Sequence, residues 1–79
     1  MEIFILGSGC PRCRELEQRV INALAELNVA ANVEKVTDIR KIAAYGILAT
    51  PGLVIDGQLK STGRVPSADE IKAWIREAE

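Results

Sequence analysis

Two cysteines near the start of the chain are the residues whose type and spacing most directly offer chemistry. Cys10 and Cys13 stand three positions apart in the segment 5–13, ILGSGCPRC, and the chain holds no other cysteine and no histidine. Two thiols at this spacing can form a structural disulfide, bind a soft metal ion, or open and close as a redox couple. The other residues discriminate among these roles.

A structural disulfide or a structural zinc site is disfavoured. Closing a loop of about 4 residues stabilises a fold by roughly 2 kcal/mol, against about 3 kcal/mol for a 15-residue loop. Zinc in a structural site takes four ligands, and two cysteines without histidine exclude such a site within one chain. We therefore predict no metal ligands of this kind.

The composition is that of one small globular domain. The 79 residues are 48% hydrophobic and 27% charged, with a formal net charge of −1. We expect a single domain over residues 1–79, because so short a chain buries only about 60% of its extended surface. The balanced charge argues against nucleic acid as a partner. The apolar run at residues 3–6 is far shorter than a signal peptide or a membrane span of about 20 residues. We therefore expect a cytoplasmic protein without membrane association, whose thiols are kept reduced. We also expect a monomer.

The elements that position the cysteines follow from the spacing of apolar residues. Residues 3–6 form a continuous apolar run, which predicts a buried strand directly before the cysteines. Behind the cysteines, apolar residues recur every three or four positions and predict an amphipathic helix that ends at Asn28. These residues are Leu16, Val20, Leu24 and Leu27.

The remaining chain predicts a strand, a short helix, a hairpin and a final helix. Residues 33–36 indicate the strand, and the short helix follows it. In residues 50–60, TPGLVIDGQLK, two strand-like runs flank Asp56-Gly57, a turn pair that favours a tight antiparallel hairpin. The segment 67–70, SADE, is a capping box that begins the last helix.

The resulting order is β-α-β-α-β-β-α. Two strands joined by a helix lie parallel with a right-handed crossover, and the hairpin adds two further strands. We therefore predict an α/β protein with a four-stranded mixed sheet and helices on both faces. The cysteines stand where the first strand meets the first helix.

The segments CPRC and TPGLVIDG occur together, about 40 residues apart, with Gly63 and a capped final helix behind them. This combination resembles the thioredoxin superfamily, and most closely its very short prokaryotic members, which are sometimes called redox-active disulfide proteins. The resemblance runs from one end of the chain to the other. It implies a minimal thioredoxin-like fold and the activity of a dithiol/disulfide oxidoreductase. The resemblance also implies that the protein exchanges electrons with disulfide-bearing proteins and is reduced again by a thioredoxin-reductase-like donor. No bound cofactor is expected, because the cysteine pair itself carries the two electrons.

The chemistry of the motif gives the two cysteines different roles. Cys10 is expected where the helix begins, and the unpaired N–H groups and the helix dipole there favour a thiolate and lower the pKa of this thiol. Pro11 suits the first helical position, and Arg12 adds positive charge close to the sulfur. We predict that Cys10 is the nucleophile and that Cys13, one turn further and more buried, resolves the mixed disulfide.

Substrate binding is predicted around the cysteines and at Thr50 and Pro51. Gly7 and Gly9 either keep side chains away from the attacking sulfur, so that a partner's backbone can approach it, or are ordinary turn residues. Pro11 and Arg12 lie beside Gly9. Few X–Pro bonds are cis, so the residues alone favour a trans Thr50-Pro51 bond. The resemblance instead implies a cis proline facing the cysteines, with the Thr50 backbone free to pair with a substrate strand.

Two other functions remain open. Cys10 and Cys13 could hold Cu(I), since soft ions prefer thiolate ligands. Small soft-metal carriers, however, typically resemble a β-α-β-β-α-β plan with a methionine near the first cysteine and without Thr-Pro opposite the site. A thiol sensor that is oxidised without turnover is the third candidate. Insulin reduction, Cu(I) titration and coupling to a reductase discriminate among the three.

Overall fold

The computed structural model describes residues 1–7, 9–47 and 49–79. Ser8 of the cysteine motif lies outside the described residues, as does Leu48. The secondary structure confirms the predicted order of elements. The elements are β1 (Glu2–Leu6), α1 (Pro11–Leu27), β2 (Asn32–Val36), α2 (Ile39–Ala44), β3 (Gly52–Ile55), β4 (Gln58–Thr62) and α3 (Ala68–Ala78).

The four strands form one mixed sheet in the order β2-β1-β3-β4. β1 runs parallel to β2 and antiparallel to β3, and β3 runs antiparallel to β4. One row across the sheet pairs Leu6 with Val36 on one side and with Gly52 on the other, and Gly52 pairs with Thr62. The segment after β1, the segment before β3 and the segment after β4 therefore all leave the sheet at the same edge, which we call the upper edge.

Helices cover both faces of the sheet, as predicted. The larger core cluster lies between one face and the helices α1 and α3, and it is made of Ile3, Ile5, Leu16, Val20, Ala23, Leu24, Leu53, Ile55, Ile71 and Ile75. The smaller cluster lies against the short helix α2 on the other face and is made of Leu6, Ile42, Ile47 and Val54. Each large side chain buried in this way contributes roughly 1.5–3 kcal/mol of hydrophobic stabilisation.

The first helix begins and ends at residues with matching cap conformations. Cys10 is the N-cap, with extended backbone (φ −66°, ψ 162°), and Pro11 is the first helical residue. Asn28 ends the helix in the left-handed conformation (φ 55°, ψ 43°), as predicted from its type. The cysteine motif is thereby fixed at the amino end of a helix of 17 residues.

Local sequence signals also explain the hairpin and the last helix. Asp56 and Gly57 both have positive φ, 47° and 81°, as a tight turn between two antiparallel strands requires. Ser67 and Glu70 form the predicted capping box, each side chain accepting a hydrogen bond from the other residue's backbone N–H. Trp74 packs against the larger core cluster. In the described part of the chain, no helix has the length and apolar character to cross a membrane.

Candidate active site

The two cysteines lie together at the upper edge of the sheet. A disulfide joins Cys10 and Cys13, whose Cα atoms are 5.1 Å apart. Gly9, directly before them, is exposed and has a φ of +83°, a conformation that glycine adopts without steric cost. The strand β1 and the helix α1 therefore meet at the dithiol.

The surroundings of the two sulfurs differ. Cys10 is half-buried, whereas the side of the helix that carries Cys13 faces inward and leaves Cys13 only 4% exposed. The Cys13 backbone N–H donates a hydrogen bond to Cys10 Sγ at 3.2 Å. One of the first N–H groups of the helix, which have no carbonyl partner within the helix, thus points at the more accessible sulfur.

Gly7 lies directly against the sulfur of Cys13, the buried cysteine of the pair. It is buried directly after β1, and a β-carbon built on it would overlap Cys13 Sγ and lie 3.7 Å from the Cβ of Thr50. Gly7 therefore separates Cys13 from Thr50 with the smallest side chain available. The sequence associated this glycine with the attacking sulfur of Cys10, whereas the close contact in the structure is with the sulfur of Cys13.

The loop before β3 stands opposite the cysteines. The Thr50-Pro51 peptide bond is cis, the isomer that the resemblance implied. Pro51 is buried and Thr50 is exposed. Two hydrogen bonds from the end of β4 hold the loop: Thr62 Oγ1 donates to the Ala49 carbonyl at 2.8 Å, and the Gly63 N–H donates to the Pro51 carbonyl at 2.9 Å. Thr50 is thus exposed between two anchored neighbours.

Arg12 lies on the exposed side of the first helical turn, next to the exposed Pro11. Its guanidinium Nη2 donates a hydrogen bond of 2.7 Å to the carbonyl oxygen of Gly63. The sequence predicted only a positive charge near the thiol. The structure additionally connects this side chain to the segment that follows β4.

The connection between β4 and α3 also contains an ion pair, between Arg64 and Glu70. Arg64 donates to both carboxylate oxygens of Glu70, at 3.1 and 2.7 Å. This hydrogen bond from Arg64, together with the one from the Ser67 N–H, lowers the pKa of Glu70 to about 2. Contact with Glu70 in turn raises the pKa of Arg64. The hydrogen bonds among Arg64, Ser67 and Glu70 therefore hold the segment 64–70, which directly follows Gly63.

In the parts of the chain that the structure covers, no group of three or more histidine, cysteine, aspartate or glutamate side chains could hold a metal ion. The cysteine pair is instead oxidised to a disulfide. A dithiol at the start of a helix, opposite a cis-proline loop at one edge of a four-stranded mixed sheet, defines a dithiol/disulfide oxidoreductase with a minimal thioredoxin fold.

Comparison with known proteins agrees with this class. The sequence pattern of the thioredoxin domain family matches residues 1–76. A thioredoxin of Methanothermobacter thermautotrophicus is 44% identical over 72 residues, which cover 91% of this chain and 94% of the relative. A thioredoxin of Methanocaldococcus jannaschii is 40% identical over 74 residues, which cover 94% of this chain and 85% of the relative. The chain belongs to the thioredoxin family.

Proposed function

We propose that the chain acts as a single domain that reduces protein disulfides, with Cys10 as the nucleophile and Cys13 as the resolving thiol. The observation that carries this assignment is the asymmetry of the pair. The sulfur of Cys10 is the more accessible one and accepts a hydrogen bond from the backbone N–H of Cys13, whereas Cys13 itself is buried. A thiolate attacks a disulfide and a thiol does not, so the sulfur at the helix start is the better attacking group.

The reaction consists of two exchange steps. In the reduced protein, the Cys10 thiolate attacks one sulfur of the substrate disulfide, whose S–S bond breaks, and the other substrate sulfur leaves as a thiolate that water protonates. Cys13 then loses its proton to water and attacks Cys10 Sγ, which forms the Cys10–Cys13 disulfide and releases the second substrate sulfur as a thiolate that water protonates. Two electrons have passed to the substrate. A dithiol donor of the thioredoxin-reductase type returns them.

The substrate is proposed to lie between the loop of residues 49–51 and the start of α1. An extended segment of the substrate pairs with the backbone of Thr50 and passes over Pro51, in the manner of a strand added to a sheet. On the other side, the exposed Gly9, Pro11 and Arg12 contact it. The exposure of Thr50 between two anchored residues supports this arrangement.

We further propose that the protein works in the cytoplasm as a monomer, without a bound cofactor and without nucleic acid or a membrane as partner. The dithiol carries both electrons of the exchange, so the chemistry needs no other group. The near-neutral net charge of −1 supports the absence of a nucleic-acid partner.

Catalysed reduction of insulin by dithiothreitol tests the proposed function. The wild type is expected to turn over many insulin molecules per protein, and both Cys10→Ser and Cys13→Ser are expected to lose this turnover. Lys60→Ser, a polar change in β4 away from the upper edge, is the control and should retain it. Stoichiometric Cu(I) binding without insulin turnover would support a soft-metal carrier, and a single oxidation without turnover would support a sensor.

A further inference from the structure

We propose that Arg12 is a positioning residue which, through the backbone of Gly63, holds the loop of residues 49–51 against the dithiol and so sets the affinity for a protein disulfide. The inference rests on the proposed function, because it concerns how that substrate is held. It assigns the side chain between the two cysteines a task beyond supplying charge to the thiolate.

The first observation is that one residue connects the two halves of the site. The carbonyl of Gly63 accepts the hydrogen bond from Arg12 Nη2 at 2.7 Å, and the N–H of the same residue donates to the Pro51 carbonyl at 2.9 Å. Arg12 belongs to the helix that carries the cysteines, whereas Pro51 belongs to the facing loop. A displacement of Gly63 therefore changes the relation between the dithiol and the proline.

The second observation is that Gly63 has little freedom to move independently of the loop. Its φ is +75°, and a β-carbon built on it would lie 3.1 Å from the Cβ of Ala49. The neighbouring Thr62 also donates its hydroxyl to the Ala49 carbonyl at 2.8 Å. A contact that fixes the position of Gly63 consequently also fixes the position of the loop of residues 49–51.

A second arginine of α1 provides a matched comparison. Arg19, seven residues after Arg12, donates Nη1 to the Pro66 carbonyl at 2.8 Å and also pairs with Glu15 at 2.8 Å. Arg12 and Arg19 thus make the same type of contact, from the same helix to the same connection between β4 and α3. Of the two arginines, Arg12 is the one that contacts Gly63, whose N–H donates a hydrogen bond to the Pro51 carbonyl.

The test compares two substrates in Arg12→Ala, Arg12→Lys and Arg19→Ala. One is a protein disulfide, insulin, and the other is the small neutral 2-hydroxyethyl disulfide, which offers no backbone to pair with the loop. The readout is the ratio of the specificity constant for insulin to the rate constant for the small disulfide. A charge acting on the Cys10 thiolate changes both rates together and leaves the ratio unchanged, whereas a misplaced loop lowers the ratio. Loss of a direct contact between Arg12 and the substrate would also lower the ratio, and the amide exchange of Gly63, which such a contact does not affect, separates the two causes.

For Arg12→Ala we expect the ratio to fall about threefold to tenfold, mostly through KM, which is the range for the loss of one hydrogen bond. Arg19→Ala should keep the wild-type ratio even where it lowers the unfolding midpoint. Arg12→Lys, which retains the charge and a donor, should restore part of the ratio. Amide exchange of Gly63 should accelerate in Arg12→Ala and not in Arg19→Ala.

The proposal is overturned if the ratio in Arg12→Ala equals that of the wild type, if Arg19→Ala lowers it equally, or if the exchange of the Gly63 amide is unaffected. These outcomes are distinguishable from failure of the proposed function itself. If the proposed function were wrong, the wild-type protein would not turn over insulin at all.

Discussion

Gly7 is packed so closely against Cys13 that a β-carbon at position 7 would occupy the space of the Cys13 sulfur. In the oxidised protein this sulfur is bonded to Cys10 and cannot turn away. The end of β1 and the buried half of the dithiol therefore fit together only when position 7 is glycine.

Gly7→Ala is expected to destabilise the oxidised protein by about 1–3 kcal/mol, the usual cost of forcing an extra carbon into a packed site. In the reduced protein the Cys13 thiol can rotate, so the loss should be smaller there. The substitution should therefore shift equilibrium with a glutathione buffer towards the dithiol. Urea unfolding of both redox forms and the glutathione equilibrium measure these two effects.

Gly9→Ala is the matched control, because its cost has another origin. A β-carbon at Gly9 meets no atom within 4 Å, but the φ of +83° is unfavourable for alanine by roughly 1–2 kcal/mol. This loss should be equal in the oxidised and reduced proteins, and Gly9→Asn should lessen it. Equal losses in both redox forms of Gly7→Ala would contradict the steric account of Gly7.

The ion pair between Arg64 and Glu70 predicts a defined dependence of stability on pH. The hydrogen bond from Arg64 lowers the pKa of Glu70 from its ordinary value of 4.5 to about 2. A carboxylate whose pKa is lower in the folded state stabilises the fold above its ordinary pKa, and this contribution disappears as the pH falls through the folded value. Glu70→Gln should therefore be less stable than the wild type at neutral pH, with a difference that shrinks between pH 4.5 and about 2.

Denaturant unfolding of the wild type and Glu70→Gln across this pH range makes the comparison. In an Arg64→Gln background, the same substitution should have a smaller effect at neutral pH, because the principal cause of the lowered pKa is gone. A difference between wild type and Glu70→Gln that did not vary with pH would refute the assignment.

The helix start predicts an acidic thiol at Cys10. The N–H of Cys13 donates to this sulfur, and the positive end of the dipole of α1 lies beside it. In the reduced protein, iodoacetamide should modify Cys10 much faster than Cys13, with a pH profile whose midpoint lies below that of a cysteine in an unstructured peptide. Mass spectrometry of the alkylated peptides measures the rate at each site, and an equal or higher midpoint at Cys10 would count against a stabilised thiolate.

Much of the fold could be predicted because its signals are local. The turn at Asp56 and Gly57 depends on two residues that tolerate positive φ, and the start of α3 depends on a serine and a glutamate three positions apart. Placing Cys10 at the start of α1 required only the proline after it and the apolar spacing behind it. The overall order of elements followed from these features.

The contacts that complete the site could not be predicted in this way. Arg12 and Gly63 are 51 positions apart, and their hydrogen bond exists only because β4 ends at the same edge as β1. The close approach of Gly7 to Cys13 depends on which way a buried side chain points. The start of the first strand also differs from the prediction: β1 begins at Glu2 and not at Ile3, since Glu2 pairs with Asn32 of β2.

Trapping of the mixed disulfide tests most directly whether Cys10 is the attacking sulfur. Reduced Cys13→Ser is mixed with insulin and quenched with acid, and the covalent adduct is mapped by mass spectrometry. The assignment predicts a stable disulfide between Cys10 and a substrate cysteine in Cys13→Ser, and little adduct in Cys10→Ser under the same conditions. An adduct that forms chiefly through Cys13 in Cys10→Ser, with little through Cys10 in Cys13→Ser, would contradict it.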